Sequence, residues 1–260
     1  MAFAMNGDVR LHWREDGAGQ PLLLLNSVGY DLSLWDAVMP YLSGFRVIRM
    51  DMRGHGQSDS PRGDYTLDQI AADAIAVLDV AKIGAAAVCG LSLGGMTAMT
   101  LALNAPERVS ALALACTSPQ MDPVGWDARI QIVRNDGVAA VADAVMARFF
   151  SEHFRRDHAG ETDAVRARFL KLNPQGYAGG CAAIRDMALL GRISAIQKPT
   201  FIIAGEEDVA TPFEGHGNEI QRRIAGAQVK MLPAGHIAPV EVPAAFAAAV
   251  TDFLSGASHV

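Results

Sequence analysis

Residues 85–98 read Ala85-Ala86-Ala87-Val88-Cys89-Gly90-Leu91-Ser92-Leu93-Gly94-Gly95-Met96-Thr97-Ala98. A run of small apolar residues leads into Gly-x-Ser-x-Gly, and a helix-forming stretch follows. The five-residue motif alone is weak, but this setting is informative. A strand that turns abruptly into a helix lifts the serine into a strained backbone conformation, and neighbouring backbone crowds the positions two residues to either side. The helix N-terminus beneath the serine favours negative charge. The segment therefore predicts a strand at Ala86–Cys89, a helix at Gly95–Leu103 and Ser92 at the strained turn as a nucleophile.

Working outward, short apolar runs alternate with helical periodicity, which indicates βαβ units and a mainly parallel sheet. Pro21–Asn26 is a continuous apolar run, the mark of a strand buried on both faces. Phe45–Met50 and Val109–Ala115 read as further strands. Asp8–Arg14 alternates as an edge strand would. Thr66–Ala81 has helical spacing. After Ser118 the rhythm changes: residues 121–196 offer no strand-like run and read as amphipathic helices, with turns at Gly137, Gly160 and Asn173–Gly176. Strands resume at Thr200–Ala204 and Gln228–Leu232, and Val242–Leu254 closes the pattern as a helix. The expected organisation is an α/β core at 1–118 and 197–260, with a helical cap at 119–196.

A nucleophilic serine needs a base, and the base needs an orienting carboxylate, here in the chain order serine, acid, histidine. Asp208 follows the strand Thr200–Ala204 through Gly205-Glu206-Glu207, and His236 follows Gln228–Leu232 through Pro233-Ala234-Gly235. Both fall just beyond the C-terminal ends of strands, the edge where open α/β sheets bind ligands. Glu206 and Glu207 are rival acids; Asp208 lies furthest beyond the strand. The oxyanion donors are expected from the backbone N–H of Leu93, directly after the nucleophile, and of Val28, in the loop after Pro21–Asn26.

The 260 residues are 50% hydrophobic and carry a net charge of −6 with no basic block. Nucleic acid and anionic membrane surfaces are thereby disfavoured as partners. The longest apolar runs are too short to span a bilayer. Three scattered cysteines, Cys89, Cys116 and Cys181, form neither a disulfide framework nor a metal site. No phosphate-binding glycine loop occurs, so neither a cofactor nor a metal is expected. The first residues lack the pattern of a secretory leader, which makes the cytoplasm the expected compartment.

Six stretches together resemble the α/β-hydrolase superfamily, and within it the 3-oxoadipate enol-lactonases: NSVGYDLSLWD (26–36), DMRGHGQSD (51–59), GLSLGGMTA (90–98), GCAAIRDM (180–187), IAGEEDVATP (203–212) and AGHIAPVE (234–241). The similarity runs from about residue 8 to residue 254. The serine motif and the RGHGxSD stretch are common to many α/β-hydrolases, whereas NSxG…W and GCAAIRD are more particular to the enol-lactonase-like group. The resemblance implies a mostly parallel eight-stranded-type sheet with helices on both faces. It assigns Ser92 as nucleophile, Asp208 as acid, His236 as base, and Val28 and Leu93 as oxyanion donors. Two departures flank the site: Tyr30 stands where the family usually has a small threonine, and Ala238-Pro239 where it tends to Ser-Asn.

The expected activity is opening of a small ester or lactone through an acyl-enzyme, with 3-oxoadipate enol-lactone, an intermediate of aromatic catabolism, as the substrate the resemblance implies. A general carboxylesterase, a perhydrolase and a C–C bond hydrolase are alternatives on the same fold, and a non-catalytic ligand-binding module is one outside enzymology. A carboxylate-bearing lactone needs a cation beside the pocket. Among Trp126, Arg129, Arg134 and Arg185, the pair Trp126/Arg129 is the first expectation and Arg185 the second. Tyr30 joins them as a candidate pocket residue. His55 is read as loop-fixing, Met96, Met99 and Leu103 as core, His153 and His158 as a solvated face, and Asp59 and Asp64 as turn residues.

Overall fold

The computed structural model describes residues 2–257. Eight strands form one sheet: β1 Ala2–Asn6, β2 Val9–Asp16, β3 Gln20–Leu25, β4 Phe45–Met50, β5 Ala86–Leu91, β6 Val109–Ala115, β7 Thr200–Gly205 and β8 Gln228–Leu232. Their order is β1-β2-β4-β3-β5-β6-β7-β8. The hairpin β1–β2 runs antiparallel and β2 joins β4 antiparallel, while β3 to β8 are all parallel. Consecutive leucines Leu22–Leu25 are all buried. Because successive side chains on a strand point to opposite faces, both faces of the sheet are covered, as an uninterrupted apolar strand requires.

The Asp8–Arg14 segment is not an edge. β1 covers it, with Ala4 opposite Leu11. The pattern of β1 is hard to read because its large apolar residues, Phe3 and Met5, are the exposed ones.

The helices are α1 Leu67–Val80, α2 Leu93–Asn104, α3 Pro123–Asp136, α4 Ala142–Phe149, α5 Glu152–Asp157, α6 Ala159–Phe169, α7 Pro174–Arg185, α8 Asn218–Arg223, α9 Ala238–Glu241 and α10 Pro243–Ala257. Thr66 and Gln69 form a reciprocal capping box at the start of α1. Asp122-Pro123 and Asn173-Pro174 start α3 and α7 in the same way. In each, a short polar side chain accepts two backbone N–H groups, and proline fills the position whose N–H needs no partner.

Between β6 and β7 the chain forms no strand, and its regular elements are the helices α3 to α7. Gly160 and Gly176 lie inside α6 and α7 rather than in turns. Gly176 faces Gly54 so closely that a Cβ on it would stand 2.4 Å from the Gly54 carbonyl oxygen. The helical segment therefore meets the strand-β4 loop backbone to backbone. Asp64 adds ion pairs to Arg134 and, at 2.8 Å, to Arg185. The expected turn residue is in fact an anchor for two helices far along the chain.

Candidate active site

Ser92 joins β5 to α2 with φ +56° and ψ −116°. A serine in this region costs about 1–3 kcal/mol and persists only where its surroundings enforce it. They do so here. The Ser92 N–H donates to the Ala115 carbonyl at 2.9 Å, and the Ser92 carbonyl accepts from the Thr117 hydroxyl at 2.7 Å. A Cβ on Gly90 would lie 2.2 Å from the Gly94 oxygen, and one on Gly94 only 2.0 Å from the Leu25 oxygen. The glycines are thus demanded by the turn folding onto itself and onto the end of β3.

Asp208 and His236 follow β7 and β8 and meet there. The Nδ1 of His236 lies 2.9 Å from Oδ2 of Asp208, and both side chains are buried. The other carboxylate oxygen accepts the N–H groups of Ala210 and Thr211, at 2.7 and 3.0 Å. The Thr211 hydroxyl donates to Oδ2 at 2.8 Å. Burial alone would favour the neutral acid, but the charge and hydrogen bond of His236, with the Thr211 donors, outweigh it and hold Asp208 well below the usual carboxylate range. An ionised Asp208 fixes the orientation of the ring through Nδ1 and turns Nε2 away from the carboxylate. Glu206 and Glu207 are exposed, and Glu207 pairs with His153 at the surface.

The loop carrying Val28 is fixed from both sides. The side-chain amide of Asn26 donates to the Met50 carbonyl at 2.8 Å and accepts from the Trp35 indole at 2.7 Å. The Gly29 N–H donates to Nε2 of His55 at 2.9 Å, while Nδ1 of that ring lies 3.1 Å from the Arg53 carbonyl. Burial lowers the pKa of His55 and keeps the ring neutral, so it can accept at one nitrogen and donate at the other. The NSxG…W and RGHG motifs are therefore two halves of one brace. Among the described residues the N–H groups of Val28 and Leu93 have no hydrogen-bond acceptor; Leu93 begins α2, where such donors are left over.

One cleft brings together Ser92, His236, Ser27 and Val28 with Trp126, Arg129, Arg148, Phe149, Ala210 and Thr211. Met96 also lines it, so this methionine serves both core and site. The free volume is about 20 Å³, room for about one water. Three of the buried groups are no rivals to Ser92: burial pushes the thiols of Cys89 and Cys181 up to about 12, and that of Cys116 well above its ordinary value.

Two expected pocket residues do not reach this cleft. Tyr30 is buried against the ring of Phe149, 5.8 Å between centroids, and so stands behind the wall rather than in it. Arg185 is held by Asp64, Asp127 and Asp186 at 2.8, 3.1 and 2.7 Å, which leaves it no charge to offer a substrate. Ala238 and Pro239 are buried at the start of α9 and line no part of the cleft. Arg129 does line it, its guanidinium 4.6 Å above the Trp126 ring. Arg148 and Phe149 were not legible as site residues. Their signal is an Arg-Phe-Phe run at the end of an amphipathic helix, which nothing in the sequence aims at Ser92.

A serine turn, a buried histidine–carboxylate pair and a strand order of this kind together define the α/β-hydrolase architecture. Residues 20–243 match the family model for the alpha/beta hydrolase fold, and the chain belongs to that family. It is 34% identical over 247 residues to 3-oxoadipate enol-lactonase 2 of Acinetobacter baylyi, covering 94% of this chain and 92% of that one. Among solved structures it is similar to the enol-lactonase from Burkholderia xenovorans, at TM-score 0.95 and 36% identity over 98% of this chain and all of the other. A hydrolase from Pseudomonas aeruginosa superposes at TM-score 0.94 with 39% identity, over 97% of each chain. Among the described residues no helix is long and apolar enough to cross a membrane.

Proposed function

We propose that the protein is a serine hydrolase that opens a small carboxylate-bearing lactone, with 3-oxoadipate enol-lactone as the substrate its relatives favour. The observation that carries this reading is the strained Ser92, in one cleft with a histidine whose Nδ1 is tied to Asp208. The expected helical cap, residues 119–196, supplies the cleft's outer wall and the cation Arg129.

Nε2 of His236 takes the Ser92 hydroxyl proton as Oγ bonds to the lactone carbonyl carbon. The carbonyl oxygen becomes an oxyanion, met by the N–H groups of Val28 and Leu93. Collapse breaks the ring C–O bond, and the proton on His236 passes to the departing enol oxygen. The enol then becomes a ketone. His236 next takes a proton from water as its oxygen bonds to the acyl carbon; the bond from that carbon to Ser92 Oγ then breaks, the proton on His236 passes to Oγ, and the free acid is released.

Two measurements test this. A fluorophosphonate probe is expected to label Ser92, and the label is expected to vanish in Ser92→Ala. Turnover of 3-oxoadipate enol-lactone is expected to exceed that of simple aryl esters in kcat/KM; a wide margin the other way would replace the lactonase reading with a carboxylesterase one.

A further inference from the structure

Two guanidiniums line the Ser92 cleft with no carboxylate within ion-pair distance among the described residues. Arg185, with its three aspartates, shows what a satisfied arginine looks like here. Arg129 lies over Trp126 and reaches only the Tyr177 hydroxyl, at 3.5 Å. Arg148 reaches only the Ala210 carbonyl, at 3.4 Å. Both contacts are at the long limit of a hydrogen bond and both acceptors are neutral.

Arg148 is half-buried. Burial first, and then the positive charge of Arg129, push its pKa down, while Asp208 opposes them from beyond contact distance. Two like charges drawn together in a partly desolvated cleft are unfavourable until an anion joins them. The position of Arg148 is also firmly set. The next residue, Phe149, accepts the Ile237 N–H at 3.0 Å, so Arg148 and His236 are each one residue away from the same hydrogen bond.

We infer that Arg148 is a specificity-determining residue that closes with Arg129 on a substrate carboxylate, one guanidinium to each side of it. The inference rests on the Ser92 hydrolase reading and adds where the anionic arm lies: against α3 and α4, which carry the two arginines. A carboxylate offers two oxygens to the two cations. A neutral ester leaves the pair uncompensated.

The test uses the full chain with two aryl esters of matched length, mono(4-nitrophenyl) glutarate and 4-nitrophenyl valerate, and with glutarate as a ligand. The glutarate ester is expected to be preferred in kcat/KM, and added salt is expected to weaken that preference. Arg148→Met and Arg129→Met are each expected to cut the preference by at least about tenfold, through KM rather than kcat, with Arg148→Lys recovering part of it. Glutarate is expected to inhibit valerate-ester hydrolysis competitively and to bind Ser92→Ala by calorimetry. If Arg148→Met misfolds, Arg148→Lys and glutarate binding to Ser92→Ala still decide.

An unchanged preference in folded Arg148→Met, or no glutarate binding to Ser92→Ala, overturns the two-arginine site. Labelled Ser92 and hydrolysis of the neutral ester would then leave the hydrolase reading standing. Glutarate binding without Ser92 labelling would instead keep the clamp and sink the hydrolase.

Discussion

The protein contains two buried histidine–aspartate pairs of nearly the same geometry. His236 and Asp208 are 2.9 Å apart, and His12 and Asp51 are 2.7 Å apart. Both rings are almost wholly removed from solvent. Their surroundings differ. Asp51 spends its oxygens on the N–H groups of Leu32 and Gln57, at 2.7 and 2.9 Å, and so ties three segments of chain together. The His12 ring sits 5.5 Å from that of Phe3, and its Nε2 has no hydrogen-bond partner among the described residues. A groove of about 610 Å³ runs past His12, far roomier than the Ser92 cleft, yet neither of the serines that line it, Ser33 and Ser60, has the positive φ of Ser92. The difference teaches that an oriented histidine is common property of a well-packed interior. It becomes a base only when its far nitrogen shares a cleft with a nucleophile and with spare N–H donors.

The comparison can be broken most directly at the two histidines. His236→Ala is expected to lower kcat by about 10⁶-fold, the scale of losing the base of a serine triad, while the protein stays folded. His12→Ala should leave kcat within about threefold; a folded His12→Ala with the deficit of His236→Ala would end the distinction.

The carboxylates come next. Asp208→Asn is expected to cost about 10⁴-fold in kcat, since the amide favours the wrong ring tautomer. The carboxylate also leaves a mark on stability. Its native pKa is depressed, so the stabilisation from its ionised form is complete above about pH 5 and is lost as pH falls through the native value. The gap in urea midpoint between unmodified protein and Asp208→Asn should therefore be widest near neutrality and shrink below about pH 4.

His12→Ala tests stability rather than turnover, because it takes the ring partner from the buried Asp51 and leaves it only the N–H groups of Leu32 and Gln57. A loss of about 2–4 kcal/mol in urea denaturation is expected. The smallest of these effects tests the brace rather than the dyads. His55→Ala frees the Gly29 N–H and loosens the Val28 loop, with an expected fall of about 10–10²-fold in kcat and little change in KM. A larger change in KM than in kcat would place His55 in substrate binding instead.

Among the residues of the candidate site, those that local chemistry dictates were legible. Gly90 and Ser92 are read together because the turn's own backbone excludes a side chain at Gly90, whereas Gly94 is legible only as part of the motif, since what excludes its side chain is the Leu25 carbonyl at the end of β3. Asp208 and His236 are read because strands of a parallel sheet end at one edge, whichever helices lie between. The pocket's outer wall was not legible. Tyr30 stands beside Val28 in the chain, yet its ring packs behind Phe149, a residue 119 positions away whose approach depends on how α4 lies. Arg185 and Arg129 look equivalent as arginines on helices; only the folded chain shows that Asp64, 121 residues from Arg185, claims one of them.

By itself, then, the sequence determined the parallel α/β sheet, the turn that presents Ser92 and the chain order of acid and histidine. These follow from steric demands and periodicities that act within a few residues. Only the tertiary structure decided which His–Asp pair shares a cleft with the serine and which arginines stay uncompensated. Those outcomes depend on the docking of α3 to α7 on the sheet, where contacts form between residues a hundred or more positions apart.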